Sequence, residues 1–229
     1  MRTDPAVFLG LDGNAFDRDA GKLGRSYGFR SIARKWSSLM KNLIMKRIQN
    51  SIDVKTELLN NEELLTIVEN LSDEIVKAIQ NGRKLVLCGN GGSASDALHF
   101  AGEIVGRFQK ERSAWSAVVL NADVATMTAI ANDYGYDDIF ARQTEGHVRP
   151  GDVFVGISTS GNSENVLRAA QVAKEKGAVT AALLGKDGGR TKEFVDYPIV
   201  VPCQMTARVQ ECHIMLIHIM CEIAEEKLS

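Results

Sequence analysis

The chain has 229 residues, of which 45% are hydrophobic and 24% charged, and its formal net charge of -2 is ordinary for a globular protein with one core. This charge gives no basic surface for nucleic acid or anionic lipid, so small molecules or other proteins are the expected partners. The longest apolar runs are about half of the roughly 20 residues that span a bilayer, and the first residues lack a signal peptide's apolar centre, so we expect a cytoplasmic protein without a membrane partner.

Residues 1–39 fit no predicted element. They are rich in Gly, Arg and Ser and carry no motif that points to chemistry. We interpret them as a flexible or disordered extension of unknown role, ahead of a single domain over residues 40–229. A remnant of a neighbouring coding region and an upstream translation start are the other interpretations.

Two helices are predicted ahead of a sheet, over about residues 40–59 and 58–80. In the second, apolar residues recur at helical spacing from Leu64 to Ile79, and Asn81-Gly82 is a usual helix ending. The last predicted helix, over residues 206–227, has almost no polar face. We therefore expect it to be buried all round, partly against another subunit.

Between these helices, short β-rich runs alternate with helical stretches, which predicts an α/β fold with a parallel sheet covered by helices on both faces. Several of the runs are apolar on successive residues, as strands buried on both faces require. The predicted strands are residues 84–88, 116–120, 152–157, 178–184 and 197–201. The predicted helices between and after them are residues 93–108, 122–131, 137–147, 162–176 and 206–227.

The four cysteines have neither C-x-x-C spacing nor the density of a disulfide framework, so we expect reduced thiols. Cys88 ends an apolar run, and Cys212 and Cys221 lie in the apolar last helix. Free cysteine in such places usually acts as a small hydrophobe. We assign a structural role to these three and to Cys203.

The first candidate site is a glycine loop, residues 88–95, with the sequence CGNGGSAS between a predicted strand and a helix. Ligands bind at strand carboxyl ends in doubly wound sheets, and a helix N-terminus reached through glycines offers N–H groups to an anion. The spacing fits neither a dinucleotide fingerprint nor a Walker motif. A tight turn with a serine cap remains the alternative for this loop.

The second candidate site is a serine loop, residues 157–165, which also follows a buried strand and precedes a helix. Ser158, Thr159, Ser160 and Ser163 can surround a phosphate dianion with hydroxyl and N–H donors. An ordinary capping loop is the alternative, but four hydroxyls within six residues exceed what one helix cap needs. The absence of a P-loop favours a sugar phosphate over a nucleotide.

The third candidate site lies on helices. His99 and Glu103 are four residues apart on one helix face. In the last helix, Gln210 and His218 lie within about 80° of each other on a helical wheel, and His213 adds a third polar group to this apolar helix. These residues suit either a divalent metal site or a base–acid pair, and a surface ion pair is the alternative for His99 and Glu103.

Five segments of the sequence resemble one known family. They are CGNGGSASDALHFAGEIVGRF, AIANDYGYDDIF, GDVFVGISTSGNSENV, LLGKDGG and ARVQECHIMLIHIMCE, and they occur in the order and at the separations found in the phosphoheptose isomerases of the sugar isomerase (SIS) family. The resemblance implies a five-stranded parallel sheet flanked by helices, a flavodoxin-like three-layer sandwich, assembled as a homotetramer. It also implies interconversion of sedoheptulose 7-phosphate with D-glycero-D-manno-heptose 7-phosphate, for heptose and lipopolysaccharide core precursors.

The resemblance also implies a role for individual residues. Glu103 matches the family's proposed catalytic base and His218 its acid or relay. The residues that match the family's zinc ligands are His99, Glu103, Gln210 and His218. The residues that match its substrate-binding positions are Asn90, Gly91, Gly92, Ser93, Asn132, Asp133, Ser158, Thr159, Ser160, Ser163 and Gln210.

Two other functions compete with the isomerase interpretation. A related SIS protein is a regulatory module that binds the bacterial replication initiator, but it departs from the enzyme pattern at the positions of Glu103 and His218, which this sequence retains. Another SIS enzyme, such as an amino-sugar phosphate isomerase, would use the same phosphate loops.

Overall fold

The computed structural model of the protein describes residues 24–229. The chain divides into two compact units, Met1–Gln49 and Asn50–Ser229. All of the candidate site residues lie in the second unit. The predicted boundary between an extension and a domain at residue 40 stays a prediction, and residues 1–23 of that extension lie outside the described part.

The first helix, α1, runs over Gly24–Leu59. The prediction that this helix begins near residue 40 is wrong. Residues 24–39 contain no proline, and the Arg, Ala, Lys and Leu among them favour a helix. The predicted start relied on the odd composition of this stretch, although no residue in it stops a helix.

The second helix, α2, runs over Glu62–Gln80 and begins where its sequence provides a cap. The Asn61 side chain accepts a hydrogen bond from the Leu64 N–H, and two glutamates occupy the first turn. Leu64, Val68 and Leu71 are buried at helical spacing, which confirms the predicted amphipathic pattern. The helix starts after residue 58, its predicted start, because the cap is at Asn61.

The sheet has five parallel strands in the order β2-β1-β3-β4-β5, which confirms the predicted fold class. This is the flavodoxin-like order, whose switch point lies between β1 and β3. The strands are β1 Leu85–Gly89, β2 Ala117–Val119, β3 Val153–Ser158, β4 Val179–Gly185 and β5 Tyr197–Val201. The helices are α3 Gly92–Val105, α4 Val124–Tyr134, α5 Ile139–His147, α6 Glu164–Glu175 and α7 Thr206–Leu228, with 3-10 turns at Tyr136–Asp138 and Thr191–Glu193.

Each face of the sheet has its own hydrophobic core. Successive side chains of a strand point to opposite faces, so Leu85 and Leu87 pack with α2, α3 and α7, whereas Val86 and Cys88 pack with α4, α5 and α6. The two cores explain why the strand sequences are apolar on successive residues. They also place α3 and α7 on the same face of the sheet.

The last helix, α7, buries one side in this core. Leu216, Ile217 and Met220 are buried, whereas Ile219 is exposed and Met215 is half-buried. Within the single chain the helix is therefore not buried all round, and the part of the prediction that involves another subunit stays a prediction. Among the described residues, no helix has the length and apolar character needed to cross a membrane.

All four cysteines are free and buried, as predicted. Burial raises the pKa of Cys221 to about 12, so this thiol stays protonated and unreactive at neutral pH. The cysteines therefore act as small apolar side chains within the two cores.

Candidate active site

The glycine loop joins the carboxyl end of β1 to the start of α3. Gly91 caps α3 with a φ of 57°, a left-handed conformation that favours glycine. At Gly92 a side chain would collide with the amide nitrogen of Gln210. The absence of a side chain at Gly92 thus lets Gln210, from α7, lie directly against the N-terminus of α3, and Ser93 is buried.

The serine loop turns sharply after β3. Gly161 has a φ of 65°, and a side chain there would meet the backbone of Gly188. The Ser158 and Ser163 hydroxyls lie 2.9 Å apart, and the Ser160 hydroxyl accepts a hydrogen bond from the Asn162 N–H at 3.2 Å. Ser163 occupies the cap position of α6 but makes no side-chain cap hydrogen bond. The Ser158 and Ser163 hydroxyls therefore face each other, and Ser163 does not cap the helix.

A pair of side chains joins the two loops, and a tyrosine outside the loops contacts one of the pair. The amides of Asn90 and Asn165 form a reciprocal pair, with hydrogen bonds of 2.9 and 3.1 Å. The Tyr136 hydroxyl donates to the side-chain amide oxygen of Asn90, Oδ1, at 2.9 Å. Asn90 is among the predicted substrate-binding residues, whereas Asn165 and Tyr136 had no predicted role. The reciprocal pair fixes the separation of the loops, so an anion between them would meet donors from both.

Three of the four predicted metal ligands converge at one point. The His99 Nε2 atom lies 3.1 Å from Glu103 Oε1 and 2.9 Å from His218 Nε2. The ligand atoms of the three residues all lie within 4.8 Å of one another. His99 is exposed and the other two are half-buried, so solvent or a ligand can reach the cluster.

The remaining predicted residues fall in different places. Asn132 and Asp133 are exposed at the end of α4, where the Asn132 amide donates to the Asp133 carboxylate at 2.8 Å. Among the described residues, neither side chain forms a hydrogen bond with the glycine loop or the serine loop. His213 is fully buried, and its Nε2 donates to the Leu184 carbonyl oxygen at 2.9 Å. Burial lowers the pKa of His213 to about 4, against the opposing effect of that hydrogen bond. His213 is therefore a neutral structural residue.

Two residues beside the cluster were not predicted from the sequence. The Phe108 ring stacks on His218, with ring centroids 5.4 Å apart and an interplanar angle of 26°. Asp96 precedes His99 by one helical turn, and one of its carboxylate oxygens is buried without a hydrogen-bond partner among the described residues. Burial raises the pKa of Asp96, and the nearby His99 opposes this. The three-residue spacing of Asp96 and His99 on one helix could have indicated Asp96 from the sequence. No local sequence pattern indicates Phe108.

Similar proteins were found both by sequence and by structure. The SIS domain family model matches residues 49–185, which include both loops, His99 and Glu103. A phosphoheptose isomerase of Clostridium acetobutylicum is 45% identical over 189 residues, covering 82% of this chain and 96% of that protein. One of a Nitratiruptor species is 53% identical over 165 residues, covering 72% and 88%. A solved phosphoheptose isomerase of Neisseria gonorrhoeae superposes with a TM-score of 0.77 at 39% identity, covering 82% and 99%.

Proposed function

The chain belongs to the SIS domain family and, within it, to the phosphoheptose isomerases, and on this premise we propose that it interconverts sedoheptulose 7-phosphate and D-glycero-D-manno-heptose 7-phosphate. The observation that carries the proposal is the cluster of His99, Glu103 and His218 on α3, which follows the glycine loop, and on α7, whose Gln210 lies against that loop. The product would supply heptose for a bacterial surface polysaccharide such as lipopolysaccharide. We place the reaction in the cytoplasm.

The two loops would bind the phosphate end of the sugar. Because Ser163 does not cap α6, its hydroxyl and that of Ser158 lie against each other, where both could donate to one ligand. The N-terminus of α3 adds N–H groups and a favourable dipole. Substrate binding would use the predicted set, including Asn90, Thr159 and Gln210, and would need no Lys or Arg.

The reaction moves a proton between C1 and C2 of the sugar through an enediol, so it needs a base, an acid and a group that stabilises the developing oxyanion. In our proposal the Glu103 carboxylate takes the C1 proton and returns a proton to C2. The His218 ring donates a proton to the C2 carbonyl oxygen, directly or as a relay, and takes the proton of the C1 hydroxyl as the aldehyde forms, so both groups return to their starting protonation states. Each such group typically contributes roughly 10²–10⁴-fold to the rate.

The same residues suit a zinc ion. Two imidazole nitrogens and one carboxylate oxygen within 4.8 Å of one another form a donor set common in catalytic zinc sites. We propose that His99, Glu103 and His218 hold zinc, together with the Gln210 side chain. When bound, zinc would polarise the sugar carbonyl. Holding the ion would also keep the Glu103 and His218 side chains in one orientation.

An assay with sedoheptulose 7-phosphate in deuterated water tests the proposed function. We expect D-glycero-D-manno-heptose 7-phosphate to form and to carry deuterium from solvent, because the transferred proton exchanges on the base. A protein that binds the sugar phosphate without converting it would instead support the regulatory module. Turnover of an amino-sugar phosphate in its place would support another SIS enzyme.

Replacement of Ser160 tests the phosphate site. Ser160→Ala removes a hydroxyl donor to a dianion, a hydrogen bond worth about 1.5–3 kcal/mol, so we expect KM to rise roughly 10- to 150-fold and kcat to change less. The matched control is Ser72→Ala, which removes a buried hydroxyl that donates to the Val68 carbonyl in α2. An unchanged KM in Ser160→Ala would show that the loop does not bind phosphate.

We also propose that the active form is a homotetramer with its sites near subunit boundaries. The support is the apolar side of α7 that the single chain leaves uncovered, including the exposed Ile219. Sedimentation velocity at micromolar concentration should give a tetramer. A stable, active monomer would contradict this.

A further inference from the structure

The loop that follows α3 wraps around one carboxylate of α7. This loop, residues 106–112, is named the clamp loop here. The Glu225 carboxylate is buried and accepts hydrogen bonds from three successive backbone N–H groups, of Phe108 at 2.8 Å, Gln109 at 2.7 Å and Lys110 at 2.8 Å. The Arg112 Nε atom donates to the same carboxylate at 3.0 Å. Each carboxylate oxygen thus receives two donors, an arrangement that fixes the clamp loop on α7.

The Glu225 carboxylate remains charged at neutral pH. Burial alone would raise its pKa, but the backbone N–H groups of the clamp loop and the Arg112 guanidinium outweigh burial and lower the pKa to about 2. A charged acceptor makes shorter and stronger hydrogen bonds than a neutral one. Glu225 is therefore a permanent anchor for the clamp loop.

The Arg112 guanidinium extends this anchor to the end of α3. It donates to the carbonyl oxygens of Glu103 at 2.8 Å and Ile104 at 3.0 Å, which are among the last carbonyls of the helix. It also lies 3.5 Å from the centroid of the Trp115 ring. The arginine thus holds the backbone of the residue whose carboxylate belongs to the candidate site.

The clamp loop also reaches the other side of the site, through Phe108. The backbone of Phe108 is held by Glu225, and its ring stacks on His218. Glu225 follows His218 by seven residues, which is almost two turns of α7, so the helix carries the anchor and the histidine on the same side. The stack leaves His218 less freedom to rotate.

We propose that Glu225 and Arg112 are positioning residues for the isomerase reaction, which hold His218 through Phe108 and hold Glu103 through its backbone carbonyl. This inference rests on the proposed function, since it assigns a purpose to contacts with Glu103 and His218. Neither Glu225 nor Arg112 donates to or accepts from the two phosphate loops in the described structure. Their effect should therefore fall on the chemical step and not on substrate binding.

The first test is Glu225→Gln, with Asp152→Asn as the matched control. Asp152 is also a buried carboxylate, which accepts from the Lys84 N–H at 3.1 Å, the Arg149 N–H at 2.8 Å and the Lys84 ammonium at 2.6 Å, but it lies at the amino end of β3, away from the loops. We expect kcat to fall on the order of 10²-fold in Glu225→Gln with KM nearly unchanged, as misplaced catalytic groups cause. Asp152→Asn should keep both constants.

A second pair of variants covers the case in which Glu225→Gln does not fold. Phe108→Leu removes the ring that stacks on His218 and should lower kcat. Phe108→Tyr keeps the ring and should retain the parental kcat. The ring-proton resonances of His218, assigned by their loss in His218→Asn, report the stack without any substrate. The chemical shifts of these resonances should differ from the parental values in Phe108→Leu and Glu225→Gln. They should equal the parental values in Phe108→Tyr and Asp152→Asn.

The outcomes separate the two proposals. If the parental protein does not convert sedoheptulose 7-phosphate but the chemical shifts of His218 change in the variants as expected, the proposed function is wrong. The contact between Phe108 and His218 is then present but has no role in isomerisation. If the parental protein is active and either Phe108→Leu or Glu225→Gln retains both its kcat and the parental His218 resonances, the positioning role is wrong. A matching loss of kcat in Asp152→Asn would also overturn it, because any lost buried carboxylate would then have the same effect.

Discussion

Glu103→Gln is expected to lower kcat by about 10²–10⁴-fold, because glutamine keeps the size and one acceptor oxygen of the side chain but cannot take the C1 proton. His218→Asn should cause a loss of the same order, since it removes the ring that we propose donates to the sugar oxygen. If the two residues act in one step, the double variant should lose much less than the product of the single losses. The measurement is kcat for sedoheptulose 7-phosphate, with binding of the substrate retained in Glu103→Gln.

Zinc content must be measured on the same samples, because both residues also belong to the proposed metal site and a lost ligand can empty it. Low activity with zinc retained would support direct proton transfer, and low activity with zinc lost would support a metal role. His147→Asn is the matched control, since His147 is exposed at the end of α5 and outside the cluster. Parental rates in Glu103→Gln and His218→Asn would show that the assigned roles are wrong.

The sheet and the two loops could be predicted from the sequence because their signals are local. Each loop directly follows an apolar run and directly precedes a helical pattern, and the carboxyl ends of parallel strands must meet at one edge. The strands β1 and β3 are neighbours in the sheet, so the loops that follow them are neighbours as well. The i, i+4 spacing of His99 and Glu103 likewise predicts that the two side chains share one face of a helix.

The contacts that hold the site together could not be predicted in this way. Glu225 lies more than 110 residues from the clamp loop that it anchors, and nothing in the loop sequence reveals that three successive N–H groups face one carboxylate. The pair of Asn90 and Asn165 spans 75 residues and depends on the register of β1 against β3. Such partners follow from the packing of whole elements, which periodicity and spacing do not specify.

The buried Glu225 carboxylate should also make the stability of the protein depend on acid pH. Its pKa is about 2 in the folded protein, below the ordinary value of 4.5. A lowered pKa means that the stabilisation is complete above the unfolded-state pKa and is lost as the pH falls through the folded-state pKa. The difference of about 2.5 pKa units corresponds to about 3 kcal/mol in the free energy of unfolding.

Urea unfolding of the parental protein and of Glu225→Gln, at one protein concentration and at several pH values from 7 to 2, measures this contribution. Glutamine does not titrate, so the gap in unfolding free energy between the two proteins isolates Glu225. We expect the gap to be constant between pH 7 and 5 and to shrink by about 3 kcal/mol as the pH falls toward 2. Glu222→Gln, an exposed change on the same helix, should stay within about 0.5 kcal/mol of the parental protein at neutral pH. The difference in unfolding free energy between the parental protein and Glu225→Gln could instead stay constant with pH. The clamp loop would then bind the protonated carboxyl as well as the carboxylate, and the charge of Glu225 would not be what anchors the loop.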